Sequence, residues 1–158
     1  MRIEAREQAY VEFVAARQTH LRRIAYAVCG DWQQADDLLQ VALTKLYVAW
    51  PRVWRLGTEE AYVRRLIMRT RIDERHGLRR RGSAPSSDPP ADTGDRTSLF
   101  AALQSLPETR RKVVILRHWL GLSVEETAEE LGTSRQSVRS HAERGLASLE
   151  GALTREDR

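Results

Sequence analysis

Residues 122–149 read LSVEETAEELGTSRQSVRSHAERGLASL, two short amphipathic patterns around a tight turn. Ser123 and Glu126 stand at capping-box spacing, so hydroxyl and carboxylate can each satisfy an orphan amide where the first helix begins. Val124, Thr127, Ala128 and Leu131 then share one face, and Gly132 follows the last apolar position, where a left-handed residue costs little. Thr133 and Ser134 supply the next cap. A second helix is predicted from near Arg135, with Val138, Ala142, Leu146 and Leu149 as its buried stripe. Arg135, Gln136, Arg139, Ser140 and Glu143 then face outward. The pattern is a helix-turn-helix, and an Arg/Gln/Ser tip suits a DNA major groove.

A plain amphipathic hairpin carries the same caps and periodic leucines. Charge separates the two readings: Glu125, Glu126, Glu129 and Glu130 lie on the first helix, while Arg135, Arg139 and Arg144 lie on the second. Groove contact explains that split, although a solvated surface can also carry it.

The 158 residues are 41% hydrophobic, enough for one ordinary domain or two small ones. A net charge of +4 and a pI near 9.7 favour a polyanionic partner without identifying it. Residues 1–81 hold 16 Lys and Arg against 10 Asp and Glu, whereas residues 99–158 hold 9 of each. The basic surplus is therefore N-terminal. A single cysteine, Cys29, excludes an internal disulfide and reads as a packed core thiol. His20, His76, His118 and His141 show no ligand spacing, so neither a metal nor a cofactor is expected. No nucleophile elbow or P-loop occurs. The N-terminus lacks an apolar signal core and no stretch has the length of a membrane span, which makes the cytoplasm the expected location.

Residues 82–95 contain Ser83, Pro85, Ser86, Ser87, Pro89, Pro90 and Gly94 with almost no apolar residue. They read as a linker. Helical periodicity predicts three or four helices before it and four after it, with no alternating strand pattern. The expected fold is all-α: two small helical domains, 1–81 and 97–158, joined by a flexible linker over 82–96, the second a helix-turn-helix of winged-helix-like type. Fully extended, that linker spans roughly 50 Å.

The first helix is predicted over residues 7–28, burying Phe13, Leu21, Ile24, Ala25 and Val28 and ended by Gly30. Asp31, with Gln34 at the return position, caps a second helix that Pro51 stops. Its Ala35, Leu38, Leu39, Ala42, Leu46, Ala49 and Trp50 face a core, leaving Asp36, Asp37, Gln40 and Lys45 exposed. After a loop holding Trp54 and Gly57, a third helix is predicted from residue 59 or 60 to about 79. Arg64, Arg65, Arg69, Arg71, Arg75, Arg79, Arg80 and Arg81 crowd this element against only Asp73 and Glu74. Such self-repulsion asks for an anionic partner, and all-arginine composition favours phosphate. Tyr62, Trp50 and Trp54 nearby are equally readable as stacking platforms for unpaired bases or as core residues.

The ordered set of an Asp36-Asp37-Leu38-Leu39-Gln40 run, an arginine-rich helix, a linker, and Leu106-Pro107 opening a helix-turn-helix lobe resembles the bacterial extracytoplasmic-function sigma factors. Gly30-Asp31, Ala61-Tyr62-Val63-Arg64-Arg65, and Leu106-Pro107 with Arg110 and Arg111 are similar to the short actinobacterial, sigma-E-like subgroup. The resemblance covers nearly the whole chain. It implies a non-enzymatic protein that binds core RNA polymerase, directs it to a two-element promoter and assists melting. Asp37, Leu38 and Gln40, with Asp36 beside them, match the motif that binds the beta-prime clamp helices; the beta flap is the second implied polymerase contact. Trp54 falls in the loop that receives a flipped base of the minus-ten element. Tyr62, Arg64, Arg65, Arg69 and Asp73 correspond to the helix that holds the open strand. Arg135, Gln136, Arg139 and Ser140 match the positions that read the minus-thirty-five element, with Arg144 and Arg117 as phosphate contacts. An anti-sigma partner is also implied, and no small-molecule substrate. Three positions depart from the family: Val41 where an acidic residue is frequent, Tyr62 where tryptophan is common, and Thr127 where isoleucine is usual. The resemblance further implies a protein without the third region of larger sigma factors and without an added C-terminal domain.

Two alternatives stay open from the residues alone. Ser137-Val138-Arg139-Ser140-His141 also resembles the reading helix of stand-alone transcriptional regulators that bind duplex DNA unaided. A helical RNA-binding or adaptor protein is the other. If Arg139 is bidentate to a guanine, Arg139→Ala is expected to cost about 1–3 kcal/mol of DNA affinity and relax one promoter position. Competition binding over a panel of single-base promoter variants measures this. A uniform loss across the panel assigns Arg139 to phosphate instead.

Overall fold

The computed structural model describes residues 2–72 and 94–156, and among them every regular element is helical. Helix α1, Arg2–Cys29, starts earlier than its periodicity predicts and ends where expected, at Gly30 with φ +75°. Leu21, Ile24, Ala25 and Val28 are buried along it. Asp31 accepts hydrogen bonds from the amides of Gln33 and Gln34 and so caps α2, Trp32–Val53. Only this half of the expected box forms, since the side-chain oxygen of Gln34 is buried without a partner. Pro51 does not stop α2. It removes one donor in the last turn, while Val53 packs into the core and Trp54 N–H returns to the Trp50 carbonyl.

After a loop with Gly57 at φ +68°, α3 runs Glu59–Arg69, ten residues short of the expected end. Thr70 turns extended, at φ −75° and ψ 132°. Two groups from the other half of the chain hold this exit: Lys112 Nζ donates to the Thr70 carbonyl at 3.0 Å, and the Ile72 amide donates to Glu108 at 2.6 Å. Ile72 is thereby drawn into the core. Residues 82–93 of the linker expected over 82–96, and Asp73, Arg75, Arg79, Arg80 and Arg81, lie outside the described residues.

Helix α4, Gly94–Gln104, begins inside the stretch expected as linker. Helix α5, Glu108–Val114, opens after Pro107 and widens into a π turn over Ile115–Trp119. The helix-turn-helix follows as α6, Val124–Leu131, and α7, Arg135–Glu156. Both bonds of the Ser123–Glu126 box form at 3.0 Å, and hydrogen bonds from Ser123 hold the Glu126 carboxyl below its ordinary pKa. Gly132 is left-handed at φ +66°, and Ser134 accepts from the Ser137 amide at 3.0 Å as the second cap. No strand follows α7 among the described residues, so the expected winged variant is corrected to a helix-turn-helix without a described wing.

One expected core position is also corrected. Leu146 is 40% exposed, and its neighbour Gly145 faces inward against Val114. The two halves pack on one another around a continuous apolar cluster. Leu21, Ile24 and Val28 of α1, Leu46 and Trp50 of α2, and Val63 and Ile67 of α3 meet Leu103, Leu106, Ile115, Leu116 and Leu149. Val113, Ala128 and Val138 form a smaller cluster inside the helix-turn-helix.

Arg111, only 5% exposed, joins the halves. Its Nε donates to Leu103 O at 3.0 Å and its Nη2 to Leu106 O at 2.9 Å, while its Nη1 donates to Val28 O at the end of α1. Gln104 adds a bond from its side-chain amide to Ala27 O at 2.8 Å. The last carbonyls of α1, which have no intrahelical partners, are thus satisfied from α4 and α5.

Gly145→Ala places a Cβ in collision with Cγ2 of Val114 and 3.2 Å from Cγ of Arg110. Overpacking of about 1–3 kcal/mol outweighs the helix-propensity gain of up to about 1 kcal/mol, so urea denaturation should show a net loss of stability. Gly151→Ala, in the same helix with open space around it, should show the gain alone.

Candidate polymerase and nucleic-acid interface

On α2, Asp37, Gln40, Val41, Thr44 and Val48 recur at helical spacing and all are exposed, Val48 to 76%. Leu38 is half-buried against the core and anchors this face. Asp36 differs from its neighbours. Arg22 of α1 takes its carboxylate in a fork, Nε to Oδ1 at 2.7 Å and Nη2 to Oδ2 at 3.2 Å. The same guanidinium lies 4.4 Å over the Trp32 ring, which stacks on Tyr26 at 3.9 Å. Asp36 is therefore part of a braced edge, whereas Asp37 and Gln40 are presented to solvent.

Of the aromatics that the sequence leaves between core and stacking roles, Trp50 is core: it is buried, and its indole N–H donates to Arg6 O at 2.7 Å. Trp54 and Tyr62 are half-buried at the edge of that core, with the Arg55 guanidinium 4.9 Å over the Trp54 ring. The arginines of α3 divide. Arg65 is exposed, but Arg64 and Arg69 reach across to α6. Arg64 grips the Glu130 carboxylate with Nε at 3.0 and 3.1 Å and Nη2 at 2.9 Å. Arg69 donates from Nε to Glu130 O at 3.0 Å and from Nη2 to Glu129 O at 3.2 Å. These are terminal carbonyls of α6, the partially negative end of that helix.

Glu130 is the residue that sequence pattern misplaces. Grouped with Glu125, Glu126 and Glu129 as an outward charge, it is 3% exposed. Its place three residues after buried Thr127, at the margin of the apolar stripe, is the signal that was available.

On α7, Arg135, Gln136, Arg139 and Arg144 are exposed and Ser140 is half-buried, so the N-terminal tip of this helix stands clear of the protein. Arg135 lies 3.9 Å from Glu125, a contact between two solvated side chains that holds little. Arg117 is half-buried and engaged within the protein. It donates to Leu122 O at 2.6 Å and braces the turn before α6. Behind the motif, a groove of about 470 Å³ is lined by Leu99, Phe100, Leu103, Trp119, Leu146 and Leu153 among others. Leu146, displaced from the core, is one of its walls. No group of His, Cys, Asp and Glu suited to a metal ion occurs among the described residues, and no described helix is long and apolar enough to cross a membrane.

Comparison with known proteins matches two stretches of the chain. Residues 13–82 match Sigma-70 region 2, and residues 96–149 match Sigma-70, region 4. The chain belongs to the sigma-70 family of RNA polymerase sigma factors, in its extracytoplasmic-function branch. Similar proteins include the RNA polymerase sigma-E factors of Streptomyces coelicolor and Streptomyces avermitilis. Each is 35% identical over 155 residues, covering 94% of this chain and 88% and 87% of the relatives. Among solved structures, the sigma factor RpoE in complex with the anti-sigma factor NepR from Bartonella quintana shares the fold. Its TM-score is 0.70 at 21% identity, over 92% of this chain and 96% of that one. As a family member the protein binds core RNA polymerase and promoter DNA, directs promoter-specific initiation, and is not itself a catalyst. The stand-alone regulator and RNA-adaptor alternatives are thereby set aside.

Cys29 lies where the halves meet. Burial pushes its thiol up to about 12, against the opposing pull of Arg111 and Lys112. Because the thiolate is the nucleophile, alkylation by iodoacetamide at pH 8 should run more than about 100-fold slower in the native protein than in the urea-unfolded chain. Equal rates in the two states show that the thiol is open to solvent.

Proposed function

We propose that the two regions divide the work of initiation over four surfaces. The α2 face of Asp37, Leu38 and Gln40, extended by Val41 and Val48 and edged by Asp36, docks on the beta-prime clamp helices of core polymerase. The observation that carries this is the exposure of two apolar side chains, Val41 and Val48, in line with Asp37 and Gln40 on one helix face. Val41 supplies an apolar contact where relatives use charge. Trp54 and Tyr62, with Arg64, Arg65, Arg69 and Asp73, hold the melted minus-ten strand, the aromatics by stacking and the arginines by phosphate pairing. Arg135, Gln136, Arg139 and Ser140 read the minus-thirty-five element, with Arg144 and Arg117 toward its backbone.

The apolar groove containing Leu99, Phe100, Leu146 and Leu153 takes the beta flap, which the exposed wall residues favour. An anti-sigma factor competing for these faces is part of the same proposal, suggested by the NepR complex of the structural relative. The protein acts in the cytoplasm, and residues 1–81 and 97–158 serve as the two working domains.

Purified core polymerase with this protein should transcribe from a subset of a promoter library that core alone leaves silent. Asp37→Ala with Gln40→Ala should weaken capture by core polymerase by about tenfold or more while the circular dichroism melt stays unchanged. Undiminished co-purification of that double variant removes the α2 face from the proposal.

A further inference from the structure

Four of the large apolar side chains that stand exposed among the described residues, Leu99, Trp119, Leu146 and Leu153, line one groove. Leu99 comes from α4, Trp119 from the π turn, and Leu146 and Leu153 from α7. The rings of Phe100 and Trp119 meet edge-on at 6.4 Å, so part of the wall is aromatic. Gly145 takes the inward position on α7 and leaves Leu146 to the groove. A concave apolar patch with a few polar groups at its margin has the make-up of a small-molecule site.

The polar side chains along this groove are His20, Arg23, His118 and Glu150. His20 is engaged: it lies 3.6 Å from Glu60 and packs edge-on against the Trp119 ring at 6.2 Å. His118 and Glu150 are exposed to solvent. Arg23 is different. It follows His20 by one turn of α1, is half-buried, and makes no hydrogen bond or ion pair with any described residue, whereas its neighbour Arg22 is taken up by Asp36. A half-buried guanidinium beside an apolar wall calls for an anion to meet its donors. Glu150 lines the same groove without pairing to it. The two charges give the groove a polarity, because an anionic head is drawn to Arg23 and repelled by Glu150.

Size narrows the occupant. At about 30 Å³ for each water-sized group, the 470 Å³ of the groove holds roughly fifteen, the bulk of a carboxylate on an unbranched chain of about eight to twelve carbons. Such a chain also brings no second polar group for which the apolar walls have no partner. We propose that this groove binds a single-chain alkanoate, with its carboxylate on Arg23 and its chain among Phe100, Trp119, Leu146 and Leu153, and that the bound molecule excludes the beta flap. The exclusion rests on the assignment of the groove to the flap; the ligand site does not.

The test titrates the full chain by calorimetry at pH 8 with octanoate, decanoate and dodecanoate, each below its micelle concentration. Decyltrimethylammonium serves as a chain of the same length carrying the opposite head. One decanoate should bind per chain, affinity should rise about fourfold for each added methylene, and decyltrimethylammonium should bind at least about tenfold more weakly. Arg23→Gln should weaken decanoate about tenfold and change decyltrimethylammonium less than about twofold. Leu146→Glu, at a position 40% exposed, should abolish decanoate binding with the helical circular dichroism intact. Should that variant unfold, the Arg23→Gln titrations decide alone. Absence of saturable decanoate binding overturns the site, and equal affinity for the two heads overturns the anionic class. An Arg23→Gln variant that binds decanoate as the wild type does overturns the placement of the head. For the exclusion, the purified flap domain of the beta subunit is titrated with and without saturating decanoate. A flap that binds equally well in both conditions overturns the exclusion alone. A flap that never binds, with decanoate binding intact, removes the flap reading and the exclusion with it, while the ligand site stands.

Discussion

A buried guanidinium between two helix ends is the contact on which this arrangement depends. Arg111 meets Leu103 O in the last turn of α4, Leu106 O just after it and Val28 O at the end of α1, so one side chain satisfies carbonyls from both halves of the chain. A planar fork with five donors can do this, whereas a lysine ammonium presents three donors from one point. Because the partners are backbone atoms, the contact fixes where α1 ends relative to α5. That placement in turn sets Gln104 against Ala27 O and over Gly30, where a Cβ would collide with the Gln104 side chain.

The same device recurs at two other helix ends. Lys112 takes the Thr70 carbonyl just after α3, and Arg69 takes the last carbonyls of α6. Burial lowers the pKa of Lys112, a cost offset by Glu108, whose carboxylate also receives the Ile72 amide. The halves are joined by an apolar cluster and by cations seated on helix C-termini, where the backbone is already partially negative. Such a joint is specific without demanding exact side-chain partners on both sides. It also places α2, α3 and the tip of α7 in one body, so whatever separates the halves acts on all three.

The local features were legible because each is encoded within a few residues. Ser123 with Glu126, Gly132, and Asp31 after Gly30 announce their caps by spacing alone, and the structure forms them. What escaped depends on residues distant in sequence. Glu130 looks like a solvated acid until Arg64 is brought beside it. Leu146 looks like a core position until Val114 claims the space at Gly145, rotating the inward stripe of α7. The end of α3 was misread because an arginine-rich run continues past residue 69, while Lys112 and Glu108 hold Thr70 and Ile72 in an extended turn. Arg22 gives no local sign that it braces Asp36. For the interface, residue identities could be carried over by family likeness, but which acids and arginines are free and which are engaged could not.

Arg69 binds atoms that no substitution in α6 can delete. The carbonyls of Glu129 and Glu130 persist whatever side chains those positions carry, provided the helix persists. Half of the clasp between the two regions is therefore indifferent to sequence drift in the helix-turn-helix, while the exposed tip of α7 makes no part of it. On the proposed assignment of Arg135, Gln136 and Arg139 to the promoter, preference can diverge over evolutionary time at those positions without rebuilding the contacts between the halves. One scaffold can in this way found a lineage of paralogues with separate targets and one shared packing of the halves.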